Sequence, residues 1–583
     1  MAEELYEPLE RYRDELKAAH RANAEAMFAE LAEASGVDAG ANAKTCAEAE
    51  RLGHELKDWK RRKGWRLAAE VALWVALAVA VLAAVAGVTG FPDGARHAGW
   101  MGWGTVGAGL AGALLGWGAR PAVKRAAGKV SELKAALAGV EAEAEAQMAG
   151  LNGLFDWDMP GKLSEKTLPG VKFDGYFSEG RLRDLRETFG WNGEGFGKGS
   201  VLWAQSGEIN GNPFVVGRVV EQAEGTKTYK GTKRISWRAR VPDGNGGWRW
   251  ETRHETLVAT VEKPMPTYPE RSFVLFANDA AERLEFTRAP SPMAKETPGT
   301  RGCERALKRC VKKLEKFARN LDDRYGFTMS DPEFEAYFQA WDRNDEVQFR
   351  LLYTVLAQRQ LLALLKDRSE GFGDDFEMQK RGRINVLWPK HLDGACLDGN
   401  PARWRSRSFA TAKEKFVEGN AAWFRHAYFA LAPLLAVPLY QQTRSHETIW
   451  RSVLDRASAS PEHEALANFL GEGRWKHPGS VTRNILKAAA RRGADGRRRV
   501  EITALGFRTE ERVDQVPVWG QDGNRHLVDV PWLEYLPVER TSEMRVVDAP
   551  GKSRRECEAA PPASGFGGED LAGLIYRRAV LGG

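Results

Sequence analysis

The chain has 583 residues, 43% of them hydrophobic and 28% charged, with a mean hydropathy of −0.45 and a formal net charge of +6. That length leaves room for several domains, and so mild a charge on 64.7 kDa does not by itself argue for a nucleic-acid partner. Five cysteines (Cys46, Cys303, Cys310, Cys396 and Cys557), odd in number and without CxxC spacing, argue against a disulfide framework or structural zinc and fit a reducing compartment.

Glu7 to Ala34 reads as an amphipathic helix with Pro8 in its first turn; Leu9, Tyr12, Leu16, Ala19 and Ala26 keep heptad spacing, and Asn23 sits in the same seam. Gly36 and Gly40 predict a break over Ser35 to Ala43, followed by a second helix from about Lys44 to Lys63. Two uncharged runs follow, Val71 to Phe91 and Ala98 to Ala119. At ~1.5 Å per residue each is long enough for the ~30 Å hydrocarbon core of a bilayer. Only Pro92 to His97 separates them, so they are expected to form an antiparallel transmembrane hairpin. The polar first 60 residues contain no cleavable leader pattern, so the first run is expected to act as an uncleaved anchor.

The flanks set the sidedness. Lys57, Lys60, Arg61, Arg62, Lys63 and Arg66 precede the first run, and Arg120, Lys124, Arg125 and Lys129 follow the second. Basic flanks remain cytoplasmic, so a multi-pass protein of the cell membrane (in bacterial terms, the inner membrane) with both termini and the large domains in the cytoplasm is expected. Lys60, Arg61, Arg62, Lys63, Arg66, Arg120, Lys124 and Arg125 are the candidate contacts to anionic headgroups. Ala72, Ala76, Ala80 and Ala84 in one run, and Gly104, Ala108, Gly112 and Gly116 in the other, form small-residue stripes that let helices approach closely. Closure of the hairpin on itself is favoured over a homo-oligomer interface. A pore is disfavoured, because no charged residue lies in either run.

From Ala122 to about Met148, Val130, Leu133, Leu137, Val140 and Ala144 resume the heptad rhythm, predicting a helix that returns beside the first ones as a coiled-coil stalk. Gly150 to Gly199 is rich in Gly and Pro. Its stretch Gly193 to Ser200 lacks the spacing of a P-loop and reads as a turn. Val201–Gln205, Phe214–Val220, Arg234–Val241, Trp248–Glu251, Thr256–Val261 and Ser272–Phe276 then predict an antiparallel β domain with one buried and one wet face, and Asn210-Gly211 as a hairpin turn. Lys227, Lys230, Lys233, Arg234, Arg238 and Arg240 make its wet face basic, which fits either a solvated surface or one turned toward headgroups.

Arg301 to Asp367 is helical; Cys303, Leu307, Cys310, Leu314, Phe317 and Leu321 share one face, so both cysteines read as core residues. Gly371 to Asn400 is irregular apart from an apolar piece at Ile384 to Trp388, and Phe409 to Gln441 returns to helix. The uncharged run Ala427 to Tyr440, broken by Pro433 and Pro438, is too short to span and is read as buried rather than dipping into the membrane. Arg474 to Arg499 reads as a basic helix, with strands at Val500–Leu505, Val516–Trp519 and His526–Val530 around an Asp522-Gly523 turn. Asp548 to Gly568 has the composition of a disordered linker, and Leu571 to Leu581 that of a short docking tail.

No catalytic pattern survives. His254-Glu255 and His446-Glu447 begin HExxH, but Val258 and Trp450 stand where the second histidine is needed. His391 and Cys396 are close in sequence, yet no third group orients them. No cofactor and no metal site is expected. The hairpin, the flanking heptads and Ser206 to Phe214 give the layout a resemblance to uncharacterised bacterial membrane proteins with a coiled coil, a two-helix hairpin and a cytosolic β-containing region, a resemblance that implies no activity.

The fold class expected is multidomain α+β. Its parts are N-terminal stalk helices (1–63), a transmembrane α-hairpin (64–119), a returning stalk helix (120–150), an antiparallel β domain (151–290), an α-helical domain (298–450), a small basic mixed α/β domain (455–548) and a flexible tail (549–583). The function expected is a membrane-anchored cytosolic scaffold or interaction protein without catalytic activity. Its partners would be the lipid bilayer, its anionic headgroups and an unidentified cytosolic protein, with nucleic acid disfavoured. The alternative is a membrane-tethered hydrolase or nuclease.

Overall fold

The structure, a computed structural model, describes residues 7–89, 98–193, 195–242, 247–319, 327–444, 457–492, 498–548 and 572–575. The helices begin with α1 (Pro8–Arg11) and α2 (Lys17–Ser35), joined by a π turn at Tyr12–Leu16, and α3 (Ala39–Thr89). Next come α4 (Ala98–Ala113) and α5 (Arg120–Leu154), joined by a π turn at Leu114–Ala119, then α6 (Met159–Thr167) and α7 (Glu179–Arg183). Further along lie α8 (Arg301–Arg319), α9 (Pro332–Phe338), α10 (Glu346–Leu352), α11 (Val355–Lys366), α12 (Phe409–Leu435) and α13 (Ser460–Leu470). The first strands are β1 (Val171–Phe173), β2 (Ser200–Ile209), β3 (Asn212–Val220), β4 (Ala223–Pro242), β5 (Trp248–Thr267), β6 (Glu270–Ala277) and β7 (Glu285–Arg288). They are followed by β8 (Phe376–Arg381), β9 (Ile384–Pro389), β10 (Ile485–Arg492), β11 (Arg498–Trp519), β12 (Arg525–Asp548) and β13 (Ala572–Ile575). The chain is thus mixed α and β, and it divides into a helical unit (25–155 with 401–419) and a sheet unit (the remainder).

In the sheet unit a seven-stranded antiparallel sheet runs β1-β2-β3-β6-β9-β8-β7. Side chains alternate across a strand, and here the alternation feeds two cores. Phe214, Val216, Val274, Phe276 and Leu387 enter one; Val215, Val219, Phe273, Leu275 and Val386 enter the other. Over the central strands β2, β3, β6 and β9 both faces are therefore dry, which corrects the expectation of one wet face. The expected β and α-helical domains also share this one sheet. β8 and β9 arise from the stretch read as irregular and pair with β7 and β6, a pairing across about a hundred residues that leaves no local pattern. The Asn210-Gly211 turn is as expected, with φ of 48° and 86°, positive at both positions as a tight two-residue hairpin requires.

The first of these cores also takes in Leu9, Tyr12 and Leu16, so the first helix packs in a globular core instead of a stalk. Tyr12 lies 4.7 Å from Phe429 and 5.1 Å from Tyr428, whose hydroxyl donates to Pro8 O at 2.7 Å. The buried positions run Leu9, Tyr12, Leu16, His20, Ala24 and Phe28, while Ala26 is exposed and Asn23 is half-buried. The wider π turn shifts the face by a fraction of a turn, so the heptad seam is not followed. The run 427–440 belongs to the same core, with Ala427 to Ala432, Leu434 to Val437 and Tyr440 all buried.

His20 gives this core an acid-sensitive point. It stacks on Phe424 at 4.1 Å, with Nε2 3.2 Å from Asn420 O and Nδ1 3.0 Å from Thr167 Oγ1. Burial holds its pKa at about 4. A base whose folded pKa lies below its unfolded value contributes full stability above pH ~6.5, and loses it as pH falls toward 4. The cost by pH 4 is on the order of 3 kcal/mol. Chemical unfolding of His20→Gln from pH 6.5 to 4 should show that loss mostly removed; an unchanged pH slope would refute the assignment.

Two long ribbons complete the unit. β4 and β5, each of 20 residues, leave the main sheet between β3 and β6 as a separate antiparallel hairpin about 65 Å long at ~3.3 Å per residue. β11 and β12 form a second, flanked by β10 and β13. The two pack through Ile235, Leu257, Ala259, Val528 and Val530. At their crossing a side chain on Gly231 would lie 2.2 Å from Asp529 O, so no other residue fits without displacing backbone. Among the described residues of Arg474 to Arg499 the expected basic α-helix does not form: Ile485–Arg492 is β10, paired residue by residue with Leu505–Arg498, because hydrogen bonds from β11 outweigh the helix propensity of its alanines. Within the stretch read as a docking tail, Ala572–Ile575 is a strand that pairs parallel to β12. Past Asp548, the stretch read as a linker (to Gly568) lies outside the described residues, as do Leu321, His446 and Glu447.

In the helical unit α3 runs unbroken from Ala39 to Thr89, and the predicted break shrinks to Gly36–Asp38. Gly36 takes φ 64° at the end of α2, and Asp38 accepts the Gly40 and Ala41 N–H groups at 2.8 and 3.0 Å, capping α3. Leu52 and Leu56 of α3 pack on Val130 and Leu133 of α5, with Trp59, Leu137 and Val140 beside them. This antiparallel pair therefore involves the second predicted helix and the returning one.

Candidate functional site

Among the described residues one helix, Ala39–Val85, is long and apolar enough to cross a membrane. The second apolar run forms α4, of 16 residues, and continues through the π turn into α5. α3 and α4 meet at Gly104. A Cβ there would lie 2.5 Å from Ala84 N and 2.9 Å from Ala80 O, and one on Gly107 would lie 3.3 Å from Ala80 Cβ. Of the residues singled out, Ala80, Ala84 and Gly104 share this contact and Ala108 is half-buried. Ala72, Ala76 and Gly112 are exposed, while Ala111 and Leu115 take the buried positions on the second helix. The environment of Gly116 lies outside the described residues. Four residues turn an α-helix through about 400°, so a strict four-residue stripe drifts ~40° per repeat and stays in contact at only one end.

Bulky apolar side chains on both helices and on the π turn after α4 point away from protein: Val75 is 59% exposed, Leu82 68%, Leu110 63% and Trp117 91%. Below them sit the candidate headgroup residues. Lys60, Arg61, Arg62, Arg120, Lys124 and Arg125 are exposed, and Lys63 and Arg66 are half-buried. Arg62 and Arg66 lie over the Trp59 ring at 5.3 and 5.7 Å, Arg120 lies 4.8 Å over Trp74, and Arg66 donates to Ala122 O at 3.3 Å. Indoles and guanidiniums clustered at the end of an apolar band have the composition of a membrane interface.

His391 has an orienting partner that sequence reading missed. Asp375 bonds Nδ1 at 2.6 Å and accepts the His391 N–H at 3.0 Å. The ring stacks on Phe372 at 4.0 Å, and Nε2 lies 3.3 Å from His426 O. Both ring nitrogens are engaged, so neither is left to take a substrate proton. Burial and the neighbouring His391 hold the pKa of His426 at about 4. Cys396 packs at the edge of the large core, and His254 stands exposed on β5. Lys380 is fully buried, donating to Gly382 O at 2.6 Å and Ala280 O at 3.1 Å, with burial lowering its pKa to about 7. The glycine-rich loop is a turn anchored by buried Phe196. Among the described residues no cluster of three or more His, Cys, Asp or Glu side chains could hold a metal.

Two further surfaces emerge. On α8 the face opposite Cys303, Ala306, Cys310 and Leu314 exposes Arg301, Arg305, Lys308, Arg309, Lys312, Lys313, Lys316 and Arg319 against only Glu304 and Glu315. The same helical spacing that buries the cysteines places these cations on the opposite side. Between the two ribbons lies a cleft of about 370 Å³ lined by Met265, Phe507, Trp532, Tyr535 and Glu534. Its best cation-binding ring is already taken: Lys263 Nζ lies 4.1 Å over Trp532 and pairs with Asp514 at 2.7 Å. Comparison with protein families, curated proteins and solved structures returns no match, so function is argued from this geometry alone.

Proposed function

We propose that the chain is a membrane-anchored scaffold or interaction protein. α3 and α4 cross the bilayer as an antiparallel pair, both termini lie in the cytoplasm, and the sheet unit is held there as a docking platform for a cytosolic protein. The observation that carries this reading is the band of bulky apolar side chains left exposed on both helices. In water it would be a patch well beyond the few hundred Å² that soluble monomers tolerate, whereas in lipid it is the expected surface. The basic residues at the ends of both apolar runs support the orientation. The runner-up, a membrane-tethered hydrolase or nuclease, would need a base free to act, and His391, held by Asp375, spends both nitrogens on protein partners.

Membrane extraction at alkaline pH combined with topology reporters tests the proposal. The chain should stay with the membrane pellet, reporters at both termini should read cytoplasmic, and one inserted within Pro92 to His97, a loop outside the described residues, should read extracytoplasmic. Recovery in the aqueous fraction, or an extracytoplasmic terminus, would refute it.

A further inference from the structure

The cross-strand register of the β4–β5 ribbon sorts the basic residues noted in the sequence. Even-numbered positions share one face: Thr228, Lys230, Thr232, Arg234, Ser236, Arg238 and Arg240 on β4, and Trp248, Trp250, Thr252, His254 and Thr256 on β5. Every one of them is exposed. The odd face is the packed one, carrying Ile235, Leu257 and Ala259, and there Lys233 donates to Leu527 O at 2.9 Å and Lys227 lies over Tyr229. Among the described residues of the even face no Asp or Glu occurs between Glu224 and Glu262, so the cations there meet no described carboxylate on their own surface. Trp248 and Trp250 lie 59% and 69% exposed at the far end, with Arg240 5.3 Å over the Trp248 ring. The turn of the second ribbon ends near Glu255, where Gln521 N donates to it at 2.8 Å. The first ribbon runs on to Pro242 and Trp248, roughly 20 Å further at ~3.3 Å per residue.

We propose that this even face is a docking surface for an anionic lipid bilayer, with Trp248 and Trp250 seated at the headgroup boundary and Arg234, Arg238 and Arg240 over the phosphates. The chemistry matches on both counts. Indoles favour the boundary between hydrocarbon and headgroup, and cations near an anionic leaflet are attracted over about a Debye length. Nucleic acid fits less well. The face is one side of a two-stranded ribbon, whereas single strands are tracked by a basic groove lined with stacking rings, and a duplex offers no apolar layer for two adjacent indoles. The proposal rests on the membrane-anchor reading only for bringing a bilayer within reach.

The test uses the full chain reconstituted into vesicles of phosphatidylcholine alone or with about a third phosphatidylglycerol. Oxidation of Trp248 and Trp250 by hydroxyl radicals is read by peptide mass spectrometry. Oxidation should fall about threefold or more in the anionic vesicles, and the triple variant Arg234→Gln/Arg238→Gln/Arg240→Gln, with unchanged circular dichroism, should restore it. Equal oxidation in the two lipids overturns the proposal. So does protection by an added oligonucleotide where anionic lipid gives none. A chain that fails to insert, yet is protected when anionic vesicles are added, would refute the anchor and leave this docking surface standing.

Discussion

Replacing Gly104 by valine should separate α3 from α4, because the first added carbon already meets the Ala84 backbone at 2.5 Å. Backbone cannot rotate out of the way as a side chain can, so the helices themselves must move. Overpacking of a close contact typically costs about 1–3 kcal/mol, and here most of it falls on one helix pair. An Ala80→Cys/Gly107→Cys pair reports the separation directly, since the corresponding Cβ positions lie 3.3 Å apart, near the usual disulfide spacing. Oxidative cross-linking should be efficient in that background and fall roughly fivefold or more when Gly104→Val is added. Gly109→Val, at an exposed position with nothing within 4 Å, should leave the yield unchanged. Undiminished cross-linking with Gly104→Val would mean that the helices do not meet there.

Loss of the Arg343 guanidinium should have the largest effect on the sheet unit. Arg343 holds Glu335 through two bonds of 2.7 and 2.8 Å, reaches Glu346 at 2.7 Å, and lies between Phe327 and Phe349 at 4.2 and 3.9 Å from their centroids. The Arg343 and Glu335 side chains are 1% and 0% exposed. Arg343→Met would strand the Glu335 carboxylate in the core, and breaking one side of such a pair costs about 3–5 kcal/mol. Removing the stranded charge as well, in Arg343→Met/Glu335→Gln, should recover more than half of that. Urea unfolding followed by tryptophan fluorescence gives both values. A single-variant loss below about 1 kcal/mol would show that water reaches the carboxylate after all.

The predicted features that reappear are those fixed by a few neighbouring residues. The turn at Asn210-Gly211 needs positive φ at both positions, and that pair supplies it at little cost. The seam of Val130, Leu133, Leu137 and Val140 follows from helical periodicity, as does the buried face of Cys303, Cys310 and Leu314. Asp375 as the partner of His391 was not legible: it lies 16 residues upstream in a stretch without regular pattern, and only the pairing of β8 with β9 brings the two together. The small-residue stripe was legible as composition but not as contact, because which end of a drifting stripe meets its neighbour depends on how the helices cross.

By itself the sequence determined the apolar runs, their basic flanks, the element types over most of the chain, and that Ala427 to Tyr440 is buried, because hydropathy and period are properties of neighbouring residues. The tertiary structure alone decided that seven strands drawn from residues 171–389 share one sheet, buried on both faces at its centre, that the first helix joins a globular core, and that Ile485–Arg492 is a strand. It also decided that the ribbon's cations divide between a packed face and a free one. Each of these depends on hydrogen bonds or packing between segments far apart in the chain, and such partners outweigh the local preferences that a sequence pattern records.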